Sequence, residues 1–254
     1  MPSQSADRLS KAYFDQQRNR VETVRATIAS REMTVTDGRV LPEDGDLVIG
    51  VGRRIQAAVL FLDICGFSER RSESKMEQES LLRVLAFFFS EIVKIIEDYG
   101  GQVEKNTGDG LMAYFPADAS EKSHESQRAV AAAMTIFYSA DFLLNPVISA
   151  TLIPKVDFRI CIDHGSITIA DVGAARRFHG FVAIGATANI ACKMLNVADH
   201  NQIVIGESVH NTIPLAWQLN HSIRRQEPTG FHYTLDGREY PCYTFDGRWT
   251  EPKP

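Results

Sequence analysis

Apolar and polar residues follow one another along this chain in two different patterns. Residues 57–64 form a short apolar run that ends at Asp63, which is typical of a buried strand. Residues 75–99 place apolar side chains at helical spacing and end at two glycines, which is typical of a terminated helix. Because both patterns recur down the chain, the sequence predicts an α/β (α+β) fold with a mixed, mostly antiparallel sheet covered by helices.

The same patterns predict the remaining elements. A turn at Gly165 is expected to join two of the strands into a hairpin. An amphipathic helix over residues 5–28 is followed by a linker rich in turn residues, so residues 1–50 are predicted to be an N-terminal helical extension and residues 51–254 the main domain. Further helices are expected at 120–144 and 186–197, and strands at 102–105, 111–115, 156–163, 167–172, 202–205, 232–235 and 241–245.

The helix over residues 75–99 carries more apolar residues than one buried stripe requires. Leucine, valine, isoleucine and phenylalanine occupy most of its circumference between residues 81 and 96. One face is expected to pack on the sheet, and the other to contact a second subunit. A large domain can also bury both faces of such a helix by itself.

Composition narrows the function classes. The 254 residues are 44% hydrophobic, which is ample for a buried core. The net charge of -5 argues against a nucleic-acid partner, because binding to the phosphate backbone requires a basic surface. No stretch approaches the roughly 20 apolar residues of a membrane span, and the polar N-terminus lacks the pattern of a signal peptide. The sequence therefore predicts a soluble, cytoplasmic protein.

The cysteines and histidines show no spacing typical of a metal site. Without a paired-cysteine motif, zinc binding and disulfides are not expected, and four buried free thiols are predicted. His164 is interpreted as a residue of the Gly165 hairpin, and the other histidines, His124 among them, have no metal-ligand spacing. The four cysteines are Cys65, Cys161, Cys192 and Cys242.

Two aspartates carry the strongest chemical signal. Asp63 ends a buried strand, and Asp109 lies on a glycine-flanked turn between two strands. Carboxylates held side by side repel each other, and a shared divalent cation is the usual way to keep both ionised. The small-residue turn after Asp63 could present backbone N–H groups to phosphate oxygens. The pair therefore indicates a metal site that binds phosphate, whereas a helix cap and a plain hairpin turn are the structural alternatives.

Four segments in order resemble the motifs of class III nucleotidyl cyclases, and together they cover residues 57 to about 245. Residues 61–68 (FLDICGFS) resemble F-x-D-I-x-G-F-T, and residues 105–109 (KNTGD) resemble K-x-x-G-D. Residues 158–165 (FRICIDHG), with Val172-Gly173, are similar to the R-I-G-I-H-x-G hairpin, and residues 184–189 (IGATAN) to I-G-x-x-V-N. The resemblance implies a ferredoxin-like cyclase domain that acts on a nucleoside triphosphate.

The resemblance also implies the organisation of the site. The domain would act as a head-to-tail homodimer with two active sites across the interface. Asp63, Asp109 and the carbonyl of Ile64 would hold two Mg²⁺ or Mn²⁺ ions, which promote attack of the ribose 3′-hydroxyl on the α-phosphorus. Asn189 from the other subunit would orient the ribose, and Phe67, within the first motif, is a candidate substrate-binding residue.

This chain departs from the family pattern at three positions. Lys193 stands where the family usually has an arginine that stabilises the transition state, and a lysine cannot offer a bidentate fork. Arg238 is the one cation left of a phosphate-binding K-G-K segment. Lys105 matches the base-reading lysine, but its polar partner is replaced by Val182, which leaves the exocyclic amine of adenine without an acceptor.

The altered base pocket favours a pyrimidine, because a lysine can donate to uracil O4 or cytosine N3. The chain resembles the pyrimidine cyclases of Pycsar antiphage defence, which implies a cUMP or cCMP product that a separate effector protein reads. An adenylate cyclase and a degenerate, non-catalytic cyclase-like domain remain as alternatives. A hydrolase that uses residues 163–166 (DHGS) is disfavoured, since adjacent hairpin residues cannot converge into a relay.

Overall fold

The computed structural model describes residues 10–30, 52–106, 108–118, 121–151, 153–171, 181–220, 223–233 and 236–250. The predicted boundary between extension and main domain, near residue 50, lies outside these ranges. For Lys105 and Val182 the backbone is described and the side chain is not.

In the described ranges, eight strands form one sheet with the order β2-β3-β1-β4-β6-β8-β7, and β5 pairs with β4. β1 and β4 form its centre through a long antiparallel ladder, and the β4–β6 pair is parallel. This confirms the predicted mixed, mostly antiparallel sheet. The strands are β1 Gly52–Ile64, β2 Gln102–Asn106, β3 Gly110–Pro116, β4 Phe158–Asp171, β5 Phe181–Ile184, β6 Ile203–Gly206, β7 Ile223–Arg225 and β8 Cys242–Phe245.

Helices cover both faces of this sheet. Ser74 and Glu77 form a capping box at the start of α2, since each side chain accepts a hydrogen bond from the backbone N–H of the other. The helices are α1 Lys11–Ser30, α2 Lys75–Asp98, α3 Glu125–Ser139, α4 Asn145–Ser149, α5 Ala186–Met194, α6 Glu207–Thr212 and α7 Leu215–Asn220. A 3₁₀ turn spans Phe67–Glu69, and a π-helical turn, Ala140–Leu144, joins α3 to α4.

The alternation of side chains along β1 divides the interior into two cores. Ala58, Leu60 and Leu62 face the first core, with α2 and α3. Ala57 and Val59 face the second core, with α5. Because successive strand residues point to opposite faces, Asp63 belongs to the second face. Helices α2 and α3 thus lie on one face of the sheet, and Asp63 lies on the other face together with α5.

The second face of α2 contacts α1 of the same chain. The buried carboxylate of Glu91 accepts hydrogen bonds from Gln17 and Arg20 of α1, each at 3.1 Å. Tyr13 O–H donates to Asp98 at 3.0 Å. Val21 and Val24 of α1 also join the first core, so α1 covers part of this face within the chain, whereas Leu82 is 39% exposed. The predicted contact of α2 with a second subunit stays a prediction.

The hairpin predicted at Gly165 is wrong. β4 runs through this residue without a turn, and Gly165 pairs with Ala57 in the β1–β4 ladder. A Cβ at Gly165 would lie 2.6 Å from the Thr187 hydroxyl of α5. The glycine therefore permits close approach of a helix to the sheet, a role that sequence pattern does not distinguish from a turn.

Several other predictions need correction. His232 forms only an isolated bridge with Glu239, and residues 234–235 of the predicted strand lie outside the described residues. Cys192 is exposed and Cys65 half-buried, so only Cys161 and Cys242 are buried thiols; all four are free, as expected. The short elements β5, β7, α6 and α7 were not predicted, because three to six residues show little periodicity.

One helical stretch among the described residues, Glu125–Ser149, is long and apolar enough to cross a membrane. It comprises α3, the π-helical turn and α4, and 72% of the apolar window is buried inside the fold. The expectation that no stretch approaches the length and apolar content of a membrane span is therefore corrected, and the burial of this stretch is the arrangement of a core helix.

Candidate active site

The fold brings Asp63 and Asp109 to the same rim of the sheet. Asp63 faces Gly110 in the β1–β3 ladder, so the turn that carries Asp109 lies beside the end of β1. The backbone N–H of Ile64 donates to the carbonyl oxygen of Asp109 at 3.0 Å, which ties the turn to the strand. Both aspartates are partly exposed. This is the juxtaposition that the sequence predicted.

Glycine at position 108 is required by the backbone of this turn. Gly108 has φ +95°, and a Cβ placed there would meet nothing within 4 Å, so conformation explains the glycine better than crowding. The ladder between β2 and β3 shifts register between Val103 and Lys105. A bulge of this kind reorients the residues that follow it, which include Lys105 and the turn.

Arg159 is the residue at this rim to which the sequence analysis gave no role. It faces Asp63 in the β1–β4 ladder, and its Nε and Nη2 donate to Asp63 Oδ2 at 3.0 and 2.8 Å. Its Nη1 donates to the carbonyl of Ala198, just beyond α5, at 3.1 Å. Arg159 lies within the third motif, but only the strand pairing shows that it meets the first.

The oxygen atoms at this rim fit a hard divalent cation. Both contacts from Arg159 go to Oδ2 of Asp63, and none of the described residues donates to its Oδ1. Ile64 has a hydrocarbon side chain, buried at 2% exposure, so its backbone carbonyl is the one oxygen it can offer. Two carboxylates and a carbonyl are the donors that Mg²⁺ and Mn²⁺ prefer. Burial raises the pKa of the neighbouring Cys65 thiol, and the charge of Arg159 acts in the opposite direction.

Asn189 and Lys193 lie on α5, on the same face of the sheet as Asp63. Both side chains are exposed, while Ala188 and Ala191 between them pack into the second core. Lys193 Nζ lies 4.5 Å from the centre of the Phe231 ring, a cation–π contact that leaves the ammonium open to solvent. The helix therefore presents both polar side chains away from its own sheet.

Val182 lies far from the aspartate rim of its own chain. It pairs with Ala170 of β4, which pairs in turn with Gly52 at the start of β1. Gly52 and Asp63 are eleven strand positions apart, or about 35 Å at ~3.3 Å per residue. A single chain therefore cannot place Val182 and the carboxylates around one nucleotide.

Phe67 and Arg238 are both engaged within the chain. Phe67 is half-buried against the first core, and the Arg70 guanidinium lies 6.0 Å from its ring centre. Arg238 donates to both carboxylate oxygens of Glu207, at 3.1 and 3.2 Å, and lies over the Tyr233 ring. The Arg238 contact is the main reason that the pKa of Glu207 is lowered.

The residues considered for a hydrolase do not form a relay. Asp163 accepts a hydrogen bond from Tyr240 O–H in the second core, and burial raises its pKa to about 7. His164 points to the opposite face, where it bonds Glu125 at 2.8 Å. Ser166 Oγ accepts from Arg54 at 2.6 Å. Strand alternation thus places Asp163 on the opposite face from His164 and Ser166, and the last two bind different partners, Glu125 and Arg54.

Comparison with known proteins identifies the family. Residues 51–236 match the family described as "Adenylate and Guanylate cyclase catalytic domain". The chain belongs to this family. It is therefore a class III nucleotidyl cyclase catalytic domain, and the cyclase fold predicted from the four motifs is confirmed.

Three similar proteins show the range of the family. An uncharacterised protein of Mycobacterium tuberculosis is 26% identical over 231 residues, which cover 89% of this chain and 38% of that protein. The chain thus spans less than two fifths of that relative. A protein of Rhodovulum sp. named uridylate cyclase is 23% identical over 169 residues, covering 64% of this chain and 67% of that protein. The crystal structure of the guanylyl cyclase Cya2 superposes with a TM-score of 0.66 at 19% identity, covering 78% of this chain and 95% of that one.

Proposed function

We propose that this cyclase converts UTP or CTP into the 3′,5′-cyclic monophosphate and pyrophosphate. The observation that carries the choice of base is Val182, an apolar residue at the motif position where purine cyclases have a polar partner for Lys105. Similarity to the Rhodovulum protein named uridylate cyclase supports the same choice. Recognition of a pyrimidine requires fewer hydrogen bonds from this pocket than recognition of a purine, so the single donor Lys105 is sufficient to bind the base.

Asp63, Asp109 and the Ile64 carbonyl are proposed to hold two divalent ions, Mg²⁺ or Mn²⁺. Bound there, the ions would supply positive charge. This charge favours ionisation of the ribose 3′-hydroxyl and offsets the negative charge of the leaving pyrophosphate. Arg159 holds one oxygen of Asp63 and leaves the other directed to solvent or a ligand. The protein's part is to fix these oxygens on a strand end and a tied turn, so that little reorganisation accompanies binding.

The remaining candidate residues are proposed to act on the nucleotide. Asn189 orients the ribose, and the Lys193 ammonium offsets negative charge that develops at the α-phosphorus. Phe67 and Arg238 are proposed to contact the substrate. Arg238 would first release its hydrogen bonds to Glu207 and then donate to a phosphate of the nucleotide. Lys105 donates to the base, and Val182 packs where no hydrogen bond is needed.

Two copies are proposed to complete each site in a homodimer. The roughly 35 Å between Val182 and the aspartate rim, together with the outward direction of Asn189 and Lys193, supports a site shared between chains. In a two-fold arrangement each copy contributes a metal rim to one site and an α5 surface to the other.

The biological setting is proposed from family resemblance. The cyclic nucleotide would be a second messenger in antiviral defence in the cytoplasm, read by a separate effector protein. Residues 1–50 are proposed as a helical extension and residues 51–254 as the catalytic domain. The packing of α1 on α2 through Glu91 supports an extension that is docked on the catalytic domain.

The test is incubation of the purified protein with Mn²⁺ and ATP, GTP, CTP or UTP separately, with products identified by mass spectrometry. We expect a cyclic pyrimidine monophosphate, and no product from D63A or D109A protein that is shown to be folded by circular dichroism. Cyclic AMP alone would support the adenylate cyclase alternative and refute the proposed base pocket. Absence of any product would favour the non-catalytic alternative, and full activity of either aspartate variant would contradict the metal rim.

A further inference from the structure

We infer a second metal site, for a divalent transition ion such as Zn²⁺, formed by His124, Glu125 and His164. His124 is the N-cap of α3, Glu125 is the first residue of that helix, and His164 comes from the middle of β4. One ligand atom from each of the three lies within 4.8 Å of the others. The sequence analysis missed this cluster because about forty residues separate His164 from the other two, and only packing of α3 on the sheet brings them together.

The distances within the cluster are close to those that a bound ion imposes. Glu125 Oε1 lies 2.8 Å from His164 Nε2 and 3.7 Å from His124 Nε2. The two imidazole rings pack edge to face with centroids 4.9 Å apart. Nitrogen and oxygen ligands about 2.0 to 2.2 Å from Zn²⁺ are separated by roughly 3 to 4 Å from each other. An ion between these three atoms therefore requires small side-chain movements and no change in the backbone.

The three side chains are buried to different extents, which leaves the proposed site open on one side. The His164 and Glu125 side chains are 15% and 11% exposed, whereas His124 is 38% exposed. Two ligands are thus fixed between helix and sheet, and the third borders solvent. Three protein ligands with an accessible fourth position are a common arrangement for zinc, with water in the open position.

The surroundings shift the pKa of two of the three proposed ligands toward the forms that a metal binds. Burial lowers the pKa of His124, and the neighbouring charges of His164 and Arg128 act in the same direction, against Glu125. Burial opposes ionisation of Glu125, but hydrogen bonds from its own backbone N–H and from His164 hold its pKa below the usual value. A neutral imidazole and an ionised carboxylate are the ligand forms that a metal requires.

Two hydrogen bonds must be exchanged when an ion binds. His164 Nε2 donates to the ionised Oε1 of Glu125 at 2.8 Å, so ligation through Nε2 moves that proton to Nδ1 and ends this bond. His124 Nδ1 accepts from the backbone N–H of Ser126 at 3.2 Å and so caps α3, which places the proton of the neutral ring on Nε2. Ligation through Nε2 moves this proton to Nδ1 and releases the cap. The metal would replace the cap as the link at the helix start, and it would also join α3 to β4 through His164.

This site is distinct from the aspartate rim in both chemistry and place. Two imidazoles and one carboxylate select zinc, cobalt, nickel or copper, whereas the all-oxygen rim suits Mg²⁺ and Mn²⁺. His164 pairs with Ala58, five strand positions from Asp63, or about 17 Å along β1. His164 also lies on the first face of the sheet, opposite to Asp63.

The test is titration of the tag-free full chain with Co²⁺ in excess Mg²⁺, which occupies the oxygen rim. We expect one equivalent of Co²⁺ to give a visible absorption band of the kind produced by mixed nitrogen and oxygen ligands, and Zn²⁺ to remove it. H164A and H124A should each weaken Co²⁺ binding at least tenfold, and E125Q should do so as well.

Two controls separate this site from the rest of the protein. H232A removes an exposed histidine outside the cluster and should keep the band, and D63A should keep it too, so failure of the proposed active site leaves this test intact. Circular dichroism verifies the fold of each variant, and H124A alters a partly exposed side chain, so it remains informative if H164A does not fold. Absence of the band in the wild-type protein, or its retention in folded H124A, would overturn the inference.

Discussion

Arg159 gives Asp63 a defined position before any ligand binds. Both of its contacts reach a single carboxylate oxygen, and the pair is partly exposed, at 29% and 25% for the two side chains. An ion pair this exposed contributes little to stability, so its effect is expected on the orientation of the carboxylate. Arg159 is therefore a positioning residue for the proposed metal rim.

Replacement of Arg159 by methionine should raise the Mn²⁺ concentration for half-maximal activity, or lower turnover, by roughly 10- to 100-fold, the usual effect of losing a residue that orients a metal ligand. The activity of R159K should lie between those of wild type and R159M, since lysine keeps the positive charge but cannot donate the two hydrogen bonds from Nε and Nη2. Activity measured against Mn²⁺ concentration tests this, with thermal unfolding as a control. Superimposable curves for wild type and R159M would refute the positioning role.

Val182 offers a test of base selection at a single side chain. V182D supplies the acceptor that the amine of adenine lacks, and satisfying one such buried group is worth ~1 to 3 kcal/mol, or roughly 5- to 150-fold in relative kcat/KM for ATP over UTP. V182I keeps the apolar surface and serves as the matched control. A nucleotide panel with all three proteins measures the shift, and an unchanged preference in V182D would place base selection elsewhere.

Among the elements, α5 and the β1–β4 ladder are held close by one glycine. A Cβ at Gly165 would lie 2.6 Å from the hydroxyl of Thr187, whose side chain is stiff because it is β-branched. G165A should therefore destabilise the protein by about 1 to 3 kcal/mol, and T187A should restore part of the loss in the double variant. Urea unfolding of the three variants measures this coupling, and strictly additive free energies would show that the contact is not the cause.

The contact between α1 and α2 should make stability depend on pH. Burial raises the pKa of Glu91 above its ordinary value, although Arg20 and Gln17 act against this. From the unfolded pKa near 4.5 upward, the folded state then binds more protons than the unfolded state, so stability falls as pH rises toward the folded pKa of Glu91.

E91Q does not titrate and should lack this decline. Its unfolding free energy relative to wild type is expected to rise with pH from about 4.5 and to level off above the folded pKa of Glu91. Denaturant unfolding at half-unit pH steps tests this. A difference that stays constant with pH would show that Glu91 is no more easily protonated in the folded protein than in the unfolded chain.

For the whole molecule, the shared-site proposal predicts complementation between two inactive variants. D63N removes the metal rim, and N189A removes the proposed ribose contact of the other copy. An equimolar mixture after subunit exchange should recover up to about one quarter of wild-type activity, since half of the dimers are mixed and each holds one intact site. D63N mixed with D109N is the matched control and should recover none, because both changes lie on the same rim. Equal activity in the two mixtures would contradict a site shared between chains.

The sequence by itself determined the family, the class of sheet and the pair of carboxylates. These features follow from local signals: a continuous apolar run defines β1, glycines flank Asp109, and four motifs occur in order. Such signals act within a few residues, because strand pleat and turn conformation are properties of short segments. The position of Asp63 beside Asp109 could be predicted from the sequence for the same reason, since a turn between neighbouring strands keeps its residues near the strand ends.

Only the tertiary structure decided which distant residues meet. Arg159 reaches Asp63 because β4 pairs with β1, and Gly165 is a point of close packing because α5 crosses that pair. α1 covers α2 through the buried Glu91, and His124, Glu125 and His164 converge because α3 starts over the middle of β4. Strand register and helix packing arise from contacts across the whole core, and no short segment encodes them.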